Sequence, residues 1–209
     1  LSSRLLMAGP DKLICIEADK RFSSPDNKIQ FIGGNALSHI RKLDFDKVVA
    51  NIPYQISEPL MQEILRKDKK PELMVLVVGK RFAQQLFGEQ DSIVGSIARM
   101  WYEIEVKETI GKAAFTPQPK VQSALVVLRL KEKTDNLLAH FYNHGKAKVK
   151  NYIITITEGI SSKKEVKTQL EAIDGAILEK SLYMLTTREF LQVLGFIRSH
   201  FKKEGEHEH

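Results

Sequence analysis

Cysteine is almost missing from this chain. Cys15 stands alone, which excludes an internal disulfide and a cysteine-built zinc site. A reducing setting suits such a composition, and Cys15, between Ile14 and Ile16, reads as a buried strand residue. Long apolar runs are also lacking. The longest, residues 73–78 and 124–128, are far too short to cross a bilayer. Residues 1–6 carry one charge and no secretory pattern. Internal repeats and low-complexity stretches are absent. What is present is enough for a core: 43% of the 209 residues are apolar. That length suits one large domain, or a medium domain with a small appendage. Charge is unbalanced, at +6 formally and a pI of about 9.3, which favours polyanionic partners.

The first two thirds alternate short apolar runs with helical patterns. Strands are expected at Leu13–Glu17, 30–33, 47–50, Leu73–Gly79, 103–110 and Ser123–Leu130, with helices at 57–66, 81–87 and 94–102. Continuous apolar strands separated by helices imply a sheet covered on both faces. Such a sheet binds ligands beyond the carboxyl ends of its strands. The last two strands are joined by a loop alone, so they should form an antiparallel pair at an edge. After about residue 131 the texture changes. Residues 131–136 form a polar linker, and beyond them only helices are expected, including 152–157. Ser162 with Glu165, and Thr186 with Glu189, fit capping boxes. Phe190, Leu191, Leu194 and Ile197 then recur at the spacing of a core-facing helix stripe. The tail 204–209 reads as disordered, its two histidines as a frayed terminus rather than a metal site.

The stretch richest in chemistry is Asn51-Ile52-Pro53-Tyr54, between an expected strand and a helix. An adenine amine is a poor nucleophile, because its lone pair is delocalised into the ring. Two acceptors that bind its two hydrogens favour a pyramidal nitrogen with a directed lone pair. The Asn51 side-chain oxygen is one candidate and the Ile52 carbonyl the other. Pro53 restricts Ile52 to extended geometry and so helps aim that carbonyl. The Tyr54 ring can stack on the base. No strong general base is needed if the proton leaves after the methyl arrives.

Asn51-Ile52-Pro53-Tyr54-Gln55-Ile56-Ser57 resembles the catalytic motif of the ribosomal RNA adenine dimethyltransferase family. Phe115-Thr116-Pro117-Gln118-Pro119-Lys120-Val121-Gln122-Ser123-Ala124 resembles the segment before that family's last strand. The resemblance runs from Leu1 to about Ile197. It implies that Phe115 sandwiches a flipped base against Tyr54, and that S-adenosylmethionine is the cofactor. Glu17-Ala18-Asp19 resembles the family's ribose-binding strand end. Gly34-Asn35-Ala36-Leu37 stands where the family usually has Gly-Asp-Ala-Leu. Cofactor contacts are therefore expected at Glu17, Ala18, Asn35, Ala36 and Asn51, with Asn35 offering an acceptor without charge. A glycine-rich loop is expected before Leu1, and further residues between Glu17 and Gln30. Residues 141–151 resemble the first helix of the family's small helical domain. Lys146, Lys148 and Lys150, with Lys120, are the candidate RNA contacts. His144 has no partner cluster that would make it a base or metal ligand.

The expected fold is α/β: a Rossmann-like methyltransferase sheet over residues 1–131, with its N-terminal part missing. A small all-helical RNA-binding domain over 132–203 follows, then the tail. The expected activity is dimethylation of two adjacent adenosines in small-subunit ribosomal RNA, during ribosome biogenesis. A cytoplasmic monomer is expected, without metal or membrane contact, with the pre-ribosomal small subunit as partner. The rivals are a resistance-type methylase of large-subunit RNA, a non-catalytic assembly or transcription factor, and a DNA adenine methylase. The last usually has Asp where Asn51 stands.

Overall fold

The structure, a computed structural model, describes residues 1–22, 26–90, 92–132, 147–158 and 160–201. A short helix, α1 (Ser2–Leu6), leads into β1 (Leu13–Glu17) and β2 (Ile29–Gly33), followed by α2 (Ala36–His39). Then come β3 (Lys47–Asn51), α3 (Ser57–Leu65), β4 (Leu73–Gly79), α4 (Lys80–Phe87), α5 (Ile93–Trp101), β5 (Tyr102–Ile110) and β6 (Ser123–Leu130). Each expected strand is present, with ends shifted by a residue at most. The helix expected over 94–102 begins at Ile93 and stops at Trp101, because Tyr102 already belongs to β5, opposite Leu130.

The strands form two groups among the described residues. β1 and β2 make a parallel pair, with Leu13 opposite Ile29 and Glu17 opposite Gly33. The other four run β3-β4-β6-β5. β3 is parallel to β4, while β6 is antiparallel to both β4 and β5. β5 thus lies at the edge beside β6, as the loop-only connection implies.

β4 is central, and its composition explains why. Met74, Leu76 and Val78 are each fully buried, an apolar run suited to a strand covered on both sides. α3 places Leu60, Met61, Ile64 and Leu65 in the core, the i, i+3, i+4 spacing of one helix face. α4 and α5 pack together closely enough to demand a glycine. A Cβ on Gly95 would fall 2.0 Å from the Gln85 carbonyl oxygen. Glu63 of α3 is buried and binds both Arg41 and Arg66. The Arg41 guanidinium, ahead of Arg66, holds this carboxyl below its ordinary range against the opposing effect of burial.

Beyond β6 the described elements are helices: α6 (Val149–Ile156), α7 (Lys163–Gln169), α8 (Gly175–Glu179) and α9 (Thr187–His200). Residues 152–157 therefore do run in and out of a helix despite their β-branched content. Both capping boxes form: Ser162 with Glu165 opens α7, and Thr186 with Glu189 opens α9. Phe190, Leu194 and Ile197 of α9 are buried, but Leu191 is half exposed and does not belong to the stripe. Val193 and Phe196 are buried instead, so the buried face is rotated away from Leu191. The buried apolar residues on both sides of position 131 join one continuous cluster. Most of the expected linker, the 141–146 part of the expected helix with His144 and Lys146, and the tail lie outside the described residues.

Candidate active site

One rim of the four-stranded sheet gathers the chemistry. Strand directions decide this. β3 and β4 are parallel, so Asn51 and Gly79 end at the same side. β6 runs the other way, so its first residue, Ser123, lies opposite Gly79, and Ile110, the last of β5, lies opposite Ser123. The loop 111–122 therefore starts and ends on this rim. It holds Phe115, the cis Thr116–Pro117 bond, Lys120 and Val121.

The Asn51–Tyr54 corner is anchored at several points. The Ile52 amide donates to the Val77 carbonyl at 2.9 Å, extending the β3–β4 ladder past Asn51. The Ile52 side chain is buried. Pro53 is extended, and its carbonyl accepts from the Ile56 amide at 3.0 Å and the Ser57 hydroxyl at 3.2 Å. The Tyr54 hydroxyl is 2.8 Å from the hydroxyl of buried Ser123. Its ring lies along Gly79, where a Cβ would come within 3.3 Å of Tyr54 Cδ1. Asn51, by contrast, is exposed. Among the described residues, neither its side chain nor the Ile52 carbonyl has a hydrogen-bond partner. Two acceptors, one of them a backbone group, thus remain unused at a rigid turn.

Beside the exposed side of Tyr54 lies a cavity of about 360 Å³, walled also by Ser57, Glu58, Gly79, Phe82 and Val121. That is the size range of small-ligand sites. Asn51 and Phe115 are not among its walls. Phe115 is half-buried, with its amide donating to the Lys112 carbonyl at 3.2 Å.

Glu17 and Asn35 come together at the ends of β1 and β2. The Gly34 amide donates to the Glu17 carbonyl at 2.8 Å. Glu17 Oε1 accepts from the Asp19 amide at 3.0 Å, which leaves Oε2 as an acceptor beside exposed Ala18. Asn35 Oδ1 caps α2 by accepting from the Leu37 amide at 3.0 Å. One lone pair of that oxygen remains, and half-buried Ala36 begins the helix. Acceptors at two adjacent strand ends suit a ligand that offers hydroxyls and an amine, as S-adenosylmethionine does. α2 packs on α3, the helix that follows Tyr54, so both ends of the site are tied to the same helix.

The lysines divide. Lys120 is exposed on the rim loop. Lys148 and Lys150 share the carboxylate of Glu179, with Lys148 Nζ at 2.6 Å. Both ammonium groups pull the Glu179 pKa down to about 2, Lys148 foremost. Sequence reasoning gave no role to Ser123, Gly79 or Glu58. Two signals were available: Ser123 lies within the Phe115–Ala124 motif, and Gly79 ends the most apolar strand. Among the described residues, no group of three or more His, Cys, Asp or Glu stands together as for a metal. No described helix is long and apolar enough to cross a membrane.

Comparison with known proteins settles the family. Residues 7–192 match the family model described as ribosomal RNA adenine dimethylase. The chain belongs to that family. A protein of Thermococcus gammatolerans, named as a probable ribosomal RNA small subunit methyltransferase A, is 30% identical over 206 residues. The alignment covers 90% of this chain and 72% of that relative. Two solved structures share the fold. A dimethyladenosine transferase from Plasmodium falciparum superposes with a TM-score of 0.62 at 22% identity, covering 96% of this chain and 88% of that one. The 23S rRNA methyltransferase ErmE gives 0.55 at 17% identity, covering 93% and 85%. The α/β architecture expected from the sequence is therefore that of Rossmann-like methyltransferases.

Proposed function

We propose that this chain is an S-adenosylmethionine-dependent adenine dimethyltransferase of small-subunit ribosomal RNA, acting in ribosome biogenesis in the cytoplasm. Family membership supports the reaction, and the small-subunit relative supports the substrate. The observation that carries it is the pair of unused oxygens at Asn51 and Ile52. When bound, the cofactor supplies an electrophilic methyl group on a sulfonium.

The chain's own residues do the rest. The Asn51 side-chain oxygen and the Ile52 carbonyl accept the two hydrogens of the target amine, which directs its lone pair. Pro53 keeps the Ile52 carbonyl aimed. Tyr54 stacks on the base, and Phe115 closes on the opposite face. Glu17, Ala18, Asn35 and Ala36 hold the cofactor's ribose and adenine. The corner contributes placement rather than proton abstraction. Lys120, Lys146, Lys148 and Lys150 contact RNA phosphates in this reading, with residues 132–203 as the RNA-binding part.

The test is methyl transfer to separated ribosomal subunits. Label is expected in the small-subunit RNA, as dimethyladenosine. Label confined to large-subunit RNA would support the resistance-type reading. Cofactor binding without transfer to either would support a non-catalytic factor.

A further inference from the structure

A second cleft, of about 510 Å³, adjoins the cavity beside Tyr54. Lys80, Arg81, Gln84, Lys112, Val121 and Gln122 wall it. Arg81 and Val121 belong to both walls. The two spaces therefore meet at an exposed apolar side chain and a guanidinium.

The charges of the two spaces differ. The cavity beside Tyr54 sets one carboxylate, Glu58, against one cation, Arg81. The second cleft has three cations and two amides in its walls, and no carboxylate. Several cations elsewhere sit on carboxylates. Arg41 and Arg66 sit on Glu63, Lys69 on Asp46, Lys107 on Glu105, Lys148 and Lys150 on Glu179, and Lys180 on Glu189. Among the described residues, Lys80, Arg81 and Lys112 have no carboxylate partner. Lys80 Nζ instead reaches the neutral Gln122 side chain, at 3.5 Å. Cations gathered without counter-charge repel one another and are relieved by an anion. Guanidinium and ammonium groups with amides beside them match phosphate oxygens.

The cleft is also held in place by the fold. The Lys80 amide donates to the Gln122 carbonyl at 2.9 Å, tying the start of α4 to the strand-entry residue of β6. The same two segments position Gly79 and Ser123 against Tyr54. Cations and base-stacking ring are thus fixed to one frame.

We propose that this cleft is a phosphate subsite, with Lys80, Arg81 and Lys112 binding the RNA backbone that flanks the target adenosine. The proposal rests on the adenine-methylating reading of the neighbouring corner. Val121 stands where the base leaves the backbone path, and Glu58 disfavours a phosphate in the cavity beyond it. The lysines on Glu179 contribute less, because a carboxylate already holds them.

The test is the salt dependence of binding to a single-stranded oligoribonucleotide carrying two adjacent adenosines. The full chain is compared with three multiple variants: Lys80→Gln/Arg81→Gln/Lys112→Gln, Lys148→Gln/Lys150→Gln, and the control Lys12→Gln/Lys28→Gln, exposed at the starts of β1 and β2. Each single-strand phosphate that is no longer neutralised lowers the slope of log K against log salt by about 0.7. The first variant should therefore reduce the slope by about 2. The second should reduce it by less than the first does, because Glu179 competes for both ammonium groups, and the control should leave it unchanged. S-adenosylmethionine affinity and the melting temperature should match the parent in all three. A first variant that keeps the parent slope overturns the subsite, as does a control that falls as far. If methyl transfer to small-subunit RNA persists in the parent chain meanwhile, the subsite alone has failed. If the parent neither binds nor methylates RNA, the reading beneath it has failed too.

Discussion

β4 and β1 are both short apolar strands ending at the site, yet they are built differently. β4 buries Met74, Leu76 and Val78 completely and is paired on both sides. β1 is half-buried along its whole length and, among the described residues, is paired with β2 alone. The target-base corner grows from a strand paired with the first kind, and the Glu17 end from the second. The corner is held by the Ile52–Val77 bond, the Tyr54–Ser123 contact and the close approach of Gly79. The Glu17 end is closed by a local bond from Asp19 and by the Gly34 amide at the end of β2. In the proposed reading, the geometry that must be fixed to aim a lone pair is carried by the deep core, and the acceptors proposed for the cofactor sit on the shallow pair.

That contrast can be broken most severely at the α4–α5 contact. Gly95→Ala drives a methyl group into the Gln85 carbonyl and should cost about 3 kcal/mol of stability, read by denaturant unfolding. A change below about 1 kcal/mol would mean that the deep half is looser than its packing implies. On the shallow half the expected effect is on ligand, not fold. Glu17→Ala should weaken S-adenosylmethionine binding about tenfold, as expected when a hydrogen bond to a charged acceptor is removed, with the melting temperature unchanged. Calorimetric titration checks the first point and thermal melting the second. Tyr54→Phe removes a partner from the hydroxyl of Ser123, a residue only 1% exposed. It should cost about 1 kcal/mol and reduce methyl transfer modestly, since the ring remains.

The smallest effect is electrostatic. Glu63 has a folded-state pKa below its ordinary 4.5, owing first to Arg41. Its stabilisation is therefore complete above pH 4.5 and is lost as pH falls through the lower folded value. Melting temperature should drop along that acid limb, and Glu63→Gln should flatten the drop while lowering the neutral plateau. An acid limb as steep in the variant as in the parent would assign the pH dependence to other carboxylates.

Much of this was legible in the sequence, for physical reasons. Strand positions follow from apolar runs, and the place of the Asn51 corner on the sheet rim from its position between such a run and a helix. The capping boxes were readable because their hydrogen bonds are local. What was not legible depends on contacts distant in sequence. Leu191 satisfies the helical period but faces out, since the face buried by α9 is set by what packs against it. Glu179 is far from Lys148 and Lys150 in sequence, so their shared ion pair left no local trace. The sequence shows Asn35 as an acceptor, and its role in capping α2 follows only from where the helix starts. The cleft at Lys80, Arg81 and Lys112 joins a helix start to a loop that returns from another strand.

The decisive measurement is single-turnover methyl transfer to small-subunit RNA by Asn51→Ala, with cofactor affinity, RNA affinity and melting temperature recorded on the same preparation. Removal of one positioned acceptor should slow transfer by at least about 100-fold while RNA affinity and melting temperature stay near those of the parent and cofactor affinity falls far less than the rate. Transfer at the parental rate would show that the amine is not held by Asn51, and the proposed chemistry of the corner would be wrong.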